Sequence, residues 1–271
     1  MTNGTLEAAL RRERLIVASA LSVIAALAWA YVLWLDRDME GMNMSGFRMV
    51  PAGMGIMAPA AAPWSAVEFA FVFVMWAVMM VGMMAPSAAP MILMYARVGR
   101  QGKIAGKPLA ATGWFAAGYL LAWAAFSLAA TLVQWVLERE ALLDARMASA
   151  NILLGAIILI AAGIYQWTPM KNACLAQCQT PFRFLMSHGG FRSNASGCLH
   201  LGFLHGTYCV GCCWVLMALL FVVGVMNVLW IALLALLVLL EKLTPWGRWV
   251  ARIAGAVCIV AGAWMVLPHA A

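Results

Sequence analysis

Long apolar runs constrain this chain more than any other feature. A bilayer's hydrocarbon layer is about 30 Å thick and takes about 20 apolar residues of helix to cross. Seven segments approach that length: 15 to 35, 65 to 84, 109 to 137, 149 to 167, 199 to 225, 228 to 243 and 250 to 267. The sixth is the shortest. With 66% hydrophobic and 10% charged residues and a mean hydropathy of +0.93, the 271-residue chain is far more apolar than a soluble domain of its size. The expectation is an all-α, polytopic transmembrane helix bundle of about seven spans, forming a single domain over 1 to 271 with no soluble unit apart.

Basic residues set the expected orientation, because Lys and Arg collect in cytoplasmic loops. With the N-terminus inside, all but Arg37, Arg48, Arg139 and Arg146 of the 17 basic residues fall on the cytoplasmic side. Acidic residues lean the other way, with Asp36, Asp38, Glu40, Glu138, Glu140 and Asp144 in the two longer outer connections. The C-terminus is then outside, in a bacterial inner membrane. Topology and anionic lipid account for the net charge of +7, and no nucleic-acid partner is needed. Arg11, Arg12 and Arg14 before the first run resemble a signal peptide, but its length and the terminal Trp29, Tyr31 and Trp34 fit an uncleaved anchor. The second run continues past Pro86 and Pro90, which predicts a kinked or interfacial extension.

Chemistry concentrates in the fifth span. Taking His205 as zero, a 100° advance per residue puts Cys209 at about 40°, Cys212 at about 340°, Cys213 at about 80° and Cys198 at about 20°. One helical stripe thus carries soft metal ligands, with Met217 a turn beyond Cys213 and glycines 202, 206 and 211 admitting a close neighbour. Cys174 and Cys178, spaced to share a helical face, lie in the inner connection 168 to 198 and could clamp a metal or exchange as a dithiol. Thiolate and imidazole select Cu(I), zinc or iron over hard cations.

Methionine is the second theme. Met39, Met42 and Met44, followed by Met49, Met54 and Met57, crowd the outer connection 36 to 64. Thioethers are neutral soft ligands that keep their affinity for Cu(I) without deprotonation. In the second span Glu68, Met75, Met79 and Met83 share a face that could form a conduit, with Met80 and Met84 turned further around. Packing is the stronger explanation for any single methionine, and an interfacial role accounts equally for Glu68. His200 and Cys258 read as structural, Tyr165, Gln166 and Asn227 as bundle glue, and Glu241 with Lys242 as a local ion pair.

A Walker loop, an Asp-Lys-Thr-Gly phosphorylation motif, a Gly-x-Ser-x-Gly elbow and a Cys-x-x-Cys-His haem motif are all absent from the sequence. Nucleotide-driven pumping within the chain is therefore not expected, and no catalytic residue is assigned.

Three blocks resemble a family of prokaryotic predicted metal-binding integral membrane proteins, a domain of unknown function. They are Met75-Trp76 through Met83-Met84-Ala85-Pro86; Gly163 through Pro169 with Lys171, Cys174, Cys178 and Pro181; and Gly202 through Met217. The likeness extends to Gly224, Met226, Asn227, Glu241 and Lys242, over about 65 to 265, and omits the outer methionine loop. It implies a multi-span protein that binds a metal.

Together these features point to a membrane protein that binds and passes a soft transition metal, Cu(I) first, with zinc or iron as alternatives, for homeostasis or for metallation of a partner. Expected partners are the lipid bilayer and a metallochaperone or membrane metalloenzyme, and oligomers are compatible with it. Two competitors stand beside it: a membrane thiol-disulfide or quinone-linked oxidoreductase, and a non-catalytic subunit or assembly factor of a larger membrane complex.

Overall fold

A computed structural model describes residues 3–40, 47–49, 57–59, 64–101, 108–144 and 147–267. The order is α1 (Asn3–Glu40), β1 (Phe47–Met49), β2 (Met57–Pro59), α2 (Ala66–Gln101), α3 (Pro108–Arg139), α4 (Ile152–Gln166), α5 (Pro169–Gln179), α6 (Pro181–Ser187), α7 (Ala195–Ala218), α8 (Leu220–Val223), α9 (Val228–Leu243) and α10 (Gly247–Val266). The fold is the expected all-α polytopic bundle. Among the described residues the only strands are β1 and β2, an antiparallel ladder pairing Met49 with Met57.

Five helices, α1, α2, α3, α7 with α8, and α10, are long and apolar enough to cross a membrane. The fourth expected span is different in kind. Pro169, which has no N–H to give, starts a new helix while Thr168 accepts the Lys171 N–H, so α4 and α5 meet at a 64° bend. Counted as one bent unit they make a sixth crossing, and α9, 16 residues or about 24 Å, is too short by the same test. By length, then, the expected seven spans become five or six. The bundle's outward faces are apolar: on α10, Ile253, Val257, Val260 and Trp264 are each more than 60% exposed, as lipid contact requires.

No break appears at the two prolines of the second span. Helix α2 runs through Pro86 and Pro90 as one element of 36 residues, so the helical extension expected past the prolines is present. Neighbouring helices cover this stretch, burying Ala85, Ala88, Met91, Ile92 and Tyr95.

Glycine sets the two closest helix contacts. A Cβ on Gly202 of α7 would stand 1.9 Å from the Phe115 carbonyl oxygen of α3, and one on Gly118 of α3 would stand 2.0 Å from that of Leu199. Helices α3 and α7 therefore touch backbone to backbone. Gly163 of α4 and Gly255 of α10 form the equivalent seam, each pressed against the other's carbonyl. The core lies where α2, α3, α5, α7 and α9 meet.

Candidate metal centre

The stripe on α7 faces inward. His205, Cys209, Cys212 and Cys213 are all buried, between 0% and 3% exposed, together with Cys198 and Met217. Helix α5 brings the second cysteine pair to them. The Cys178 side chain interacts with those of both Cys209 and Cys212, and that of Cys213 with the same two, while the Cys212 and Cys213 thiols donate to the Cys209 carbonyl at 3.1 and 3.0 Å. Cys174, one turn earlier, lays its Sγ 3.0 Å from where a Cβ on Gly211 would sit. A larger residue than glycine would fill that space, so the two cysteine groups share one site.

Three groups that pattern reading did not assign complete this site. The Lys242 ammonium on α9 donates to Cys209 Sγ at 2.9 Å, to Ser87 Oγ at 3.4 Å and to Met84 Sδ at 3.8 Å, the last two on α2. The Tyr119 hydroxyl on α3 lies 3.1 Å from Cys209 Sγ. The expected Glu241–Lys242 pair does not form. Consecutive helical residues point about 100° apart, and Glu241 turns instead to Lys171 of α5 at 2.7 Å, both side chains 1% exposed. Gln166 donates to the other Glu241 oxygen at 2.9 Å, and Gln179 to its carbonyl at 2.7 Å. This buried network clamps α5, and with it Cys174 and Cys178, against α9. Tyr165, expected as bundle glue, donates from its hydroxyl to the Gly211 carbonyl and ties α4 to the same stretch of α7.

His205 sits at the edge of the thiols in an aromatic box, its ring centroid 4.9 Å from Phe184, 6.0 Å from Tyr119 and 6.1 Å from Phe115. Its buried Nδ1 has no hydrogen-bond partner among the described residues. A buried polar nitrogen left unpaired is costly and needs an explanation.

The methionines of α2 are an inward column. Met75, Met79 and Met83 are at most 2% exposed, as are Met80 and Met84. Met84, which the face argument set aside, is the one whose sulfur reaches the site. Glu68 lies sixteen residues up the helix, about 24 Å away by helical rise. There its carboxylate accepts the Ser65 N–H at 2.5 Å while Ser65 Oγ accepts the Glu68 N–H, a capping box that fixes the start of α2. Near that end Trp76 donates to Gln134, whose amide reaches Glu138 at 2.8 Å and Met147 Sδ at 3.2 Å. Of the outer methionines, Met39 falls within α1, and Met42 and Met44 lie outside the described residues.

The model of the PpoB2 family, described as copper chaperone, matches residues 73–265. This chain belongs to the copper chaperone family. Every residue of the thiol site falls within the matched stretch, whereas α1, the β1–β2 ladder and Glu68 precede it. No curated protein and no solved structure matches the chain. The donors that meet here, thiols, a thioether and an unpaired imidazole nitrogen, are soft or borderline groups of the kind that take Cu(I). Among the described residues no three His, Cys, Asp or Glu side chains are already spaced as a metal cage. Instead, the Cys212 and Cys213 thiols donate to the Cys209 carbonyl, and the Cys209 sulfur accepts from the ammonium.

Proposed function

We propose that this copper chaperone holds Cu(I) as its cargo at Cys178, Cys209, Cys212 and Cys213, deep in a membrane-embedded bundle, with His205 and Cys174 at the flanks. One observation carries the reading: the Cys178 side chain of α5 meets those of Cys209 and Cys212 of α7, so soft donors from two separate elements converge where neither could supply a full ligand set. Cu(I) suits a mixed thiolate and thioether set better than zinc or iron, because Met84 lies against the same group and thioethers bind those metals weakly.

The cargo moves along the buried column of Met75, Met79 and Met83, and Met39, Met42 and Met44 with Glu68 collect or shed it at the far end. The N-terminus lies inside a bacterial inner membrane, since that keeps most Lys and Arg cytoplasmic, and five crossings put the C-terminus outside. A metallochaperone or a membrane metalloenzyme exchanges copper with the site.

Elemental analysis of the detergent-purified full chain tests the assignment. Wild type prepared anaerobically with copper retains about one Cu per chain by this reading, and Cys209→Ser/Cys212→Ser retains little. A wild type without copper overturns it. The same thiol contacts favour a second reading, dithiol exchange between Cys178 and Cys209 or Cys212, which predicts reversible two-electron oxidation and no bound copper under reducing conditions.

A further inference from the structure

Lys242 stands in an unusual place for a cation. It is 5% exposed, in the middle of an apolar bundle, and the carboxylate next to it in sequence is fully engaged with Lys171 and Gln166 on another face. Its ammonium instead rests on Cys209 Sγ at 2.9 Å and Met84 Sδ at 3.8 Å, with Ser87 Oγ at 3.4 Å. Neutral thioethers and thiols are poor acceptors for a buried ammonium compared with oxygen. They are, however, the donors that a soft cation takes.

We infer that Lys242 is a tethered cation that occupies part of the copper position in the empty site, competes with copper for Cys209 and Met84, and so sets how readily copper is given up. The inference rests on the proposed copper site. When copper binds, Cys209 cannot serve both cations at contact distance, and the ammonium swings toward Ser87, the oxygen already within 3.4 Å. On release it returns. The thiols are then never left without a positive neighbour in a medium that penalises uncompensated charge. Two of the soft donors, Cys209 and Met84, already turn their sulfurs to the ammonium.

The effect has a sign and a scale. Taken alone, the repulsion of two unit charges about 4 Å apart weakens binding roughly 5-fold at a water-like dielectric and roughly 1000-fold at an effective value of 20, and the ammonium's attraction for the thiolates formed on binding offsets part of it. Removing the charge therefore tightens copper binding by a factor inside that range, with slower release. An ordinary ligand or a structural lysine would give the opposite result, because its loss weakens the site.

The test uses the full chain in detergent, loaded with Cu(I) and titrated with the chromophoric chelator bicinchoninate. Lys242→Leu and Lys242→Gln are expected to bind copper at least fivefold more tightly than wild type and to release it more slowly to the chelator, with helix content unchanged. Equal or weaker binding in a variant that folds overturns the inference and leaves the copper site standing; a wild type that binds no copper overturns both. A measurement on wild type alone guards against variants that do not fold. With 15N at the lysine Nζ atoms, the buried Lys171 and Lys242 are distinguishable by their partners, and copper is expected to shift the Lys242 resonance reversibly while sparing Lys171. Identical spectra with and without copper overturn the inference.

Discussion

Glu241→Gln tests the clamp that brings the two cysteine groups together. In wild type the Glu241 carboxylate meets the Lys171 ammonium at 2.7 Å with both side chains 1% exposed, and Gln166 donates to its second oxygen. An amide at 241 still accepts from Gln166, so that neutral contact, worth about 1 kcal/mol, survives. What is lost is the compensation of Lys171, and breaking one half of a buried ion pair costs about 3 to 5 kcal/mol. Replacing both partners, Glu241→Gln with Lys171→Met, removes the stranded charge and is expected to recover all but about 1 kcal/mol, since buried pairs contribute little relative to apolar substitutes. The assay is unfolding of the full chain in mixed micelles, followed by circular dichroism, with Cys178 alkylation rates read in parallel. Glu241→Gln should expose Cys178 to the reagent, because α5 is then held to α9 only through Gln179 and packing. A single variant within about 1 kcal/mol of wild type, or a double variant no better than the single, would refute the clamp.

Gly202→Ala drives a Cβ to 1.9 Å from the Phe115 carbonyl oxygen, and the expected loss is at least about 3 kcal/mol or failure to fold, read by thermal unfolding in detergent. Gly211→Ala meets only the movable Cys174 Sγ at 3.0 Å, and alanine is about 1 kcal/mol the better helix former, so stability should hold while copper retention falls several-fold. Gln134→Leu strands the buried Trp76 indole N–H and one Glu138 contact, costing about 1 to 3 kcal/mol without changing copper content. Cys258→Ser, on α10, should leave copper content at the wild-type level by elemental analysis, which separates the thiol site from cysteine number.

Much of the site could be read from spacing alone because its ligands lie on helices of regular pitch. His205, Cys209, Cys212 and Cys213 share a stripe by arithmetic, and the stripe is buried as expected. That Cys178 reaches it could not be read, since the distance between α5 and α7 depends on the bend at Pro169 and on the Glu241 clamp. Lys242, Tyr119 and Met84 come from three further helices and carry no local signature. One signal was nevertheless available for Lys242: adjacent residues on a helix face apart, which argues against a Glu241–Lys242 pair and sends the two charges to different neighbours. The span count shifted because the runs 149 to 167 and 228 to 243 fold as helices of 15 and 16 residues, short of the about 20 that a crossing takes.

The glycine seam between α3 and α7 has a mechanical consequence. With the Gly202 position pressed on the Phe115 carbonyl and the Gly118 position on that of Leu199, no side chain lies between the two backbones to act as a cushion. Sliding or rotation would lift one carbonyl ridge over the other, so the pair behaves as a single stiff beam carrying Tyr119 and the α7 cysteines. Helix α5 meets α7 through side chains and hangs from α4 by a two-residue corner, Trp167 and Thr168. The compliance of the site is thus one-sided. Spin labels spanning α3 and α7 should report a fixed distance whatever the state of the thiols, and any breathing of the site should register between α5 and that beam.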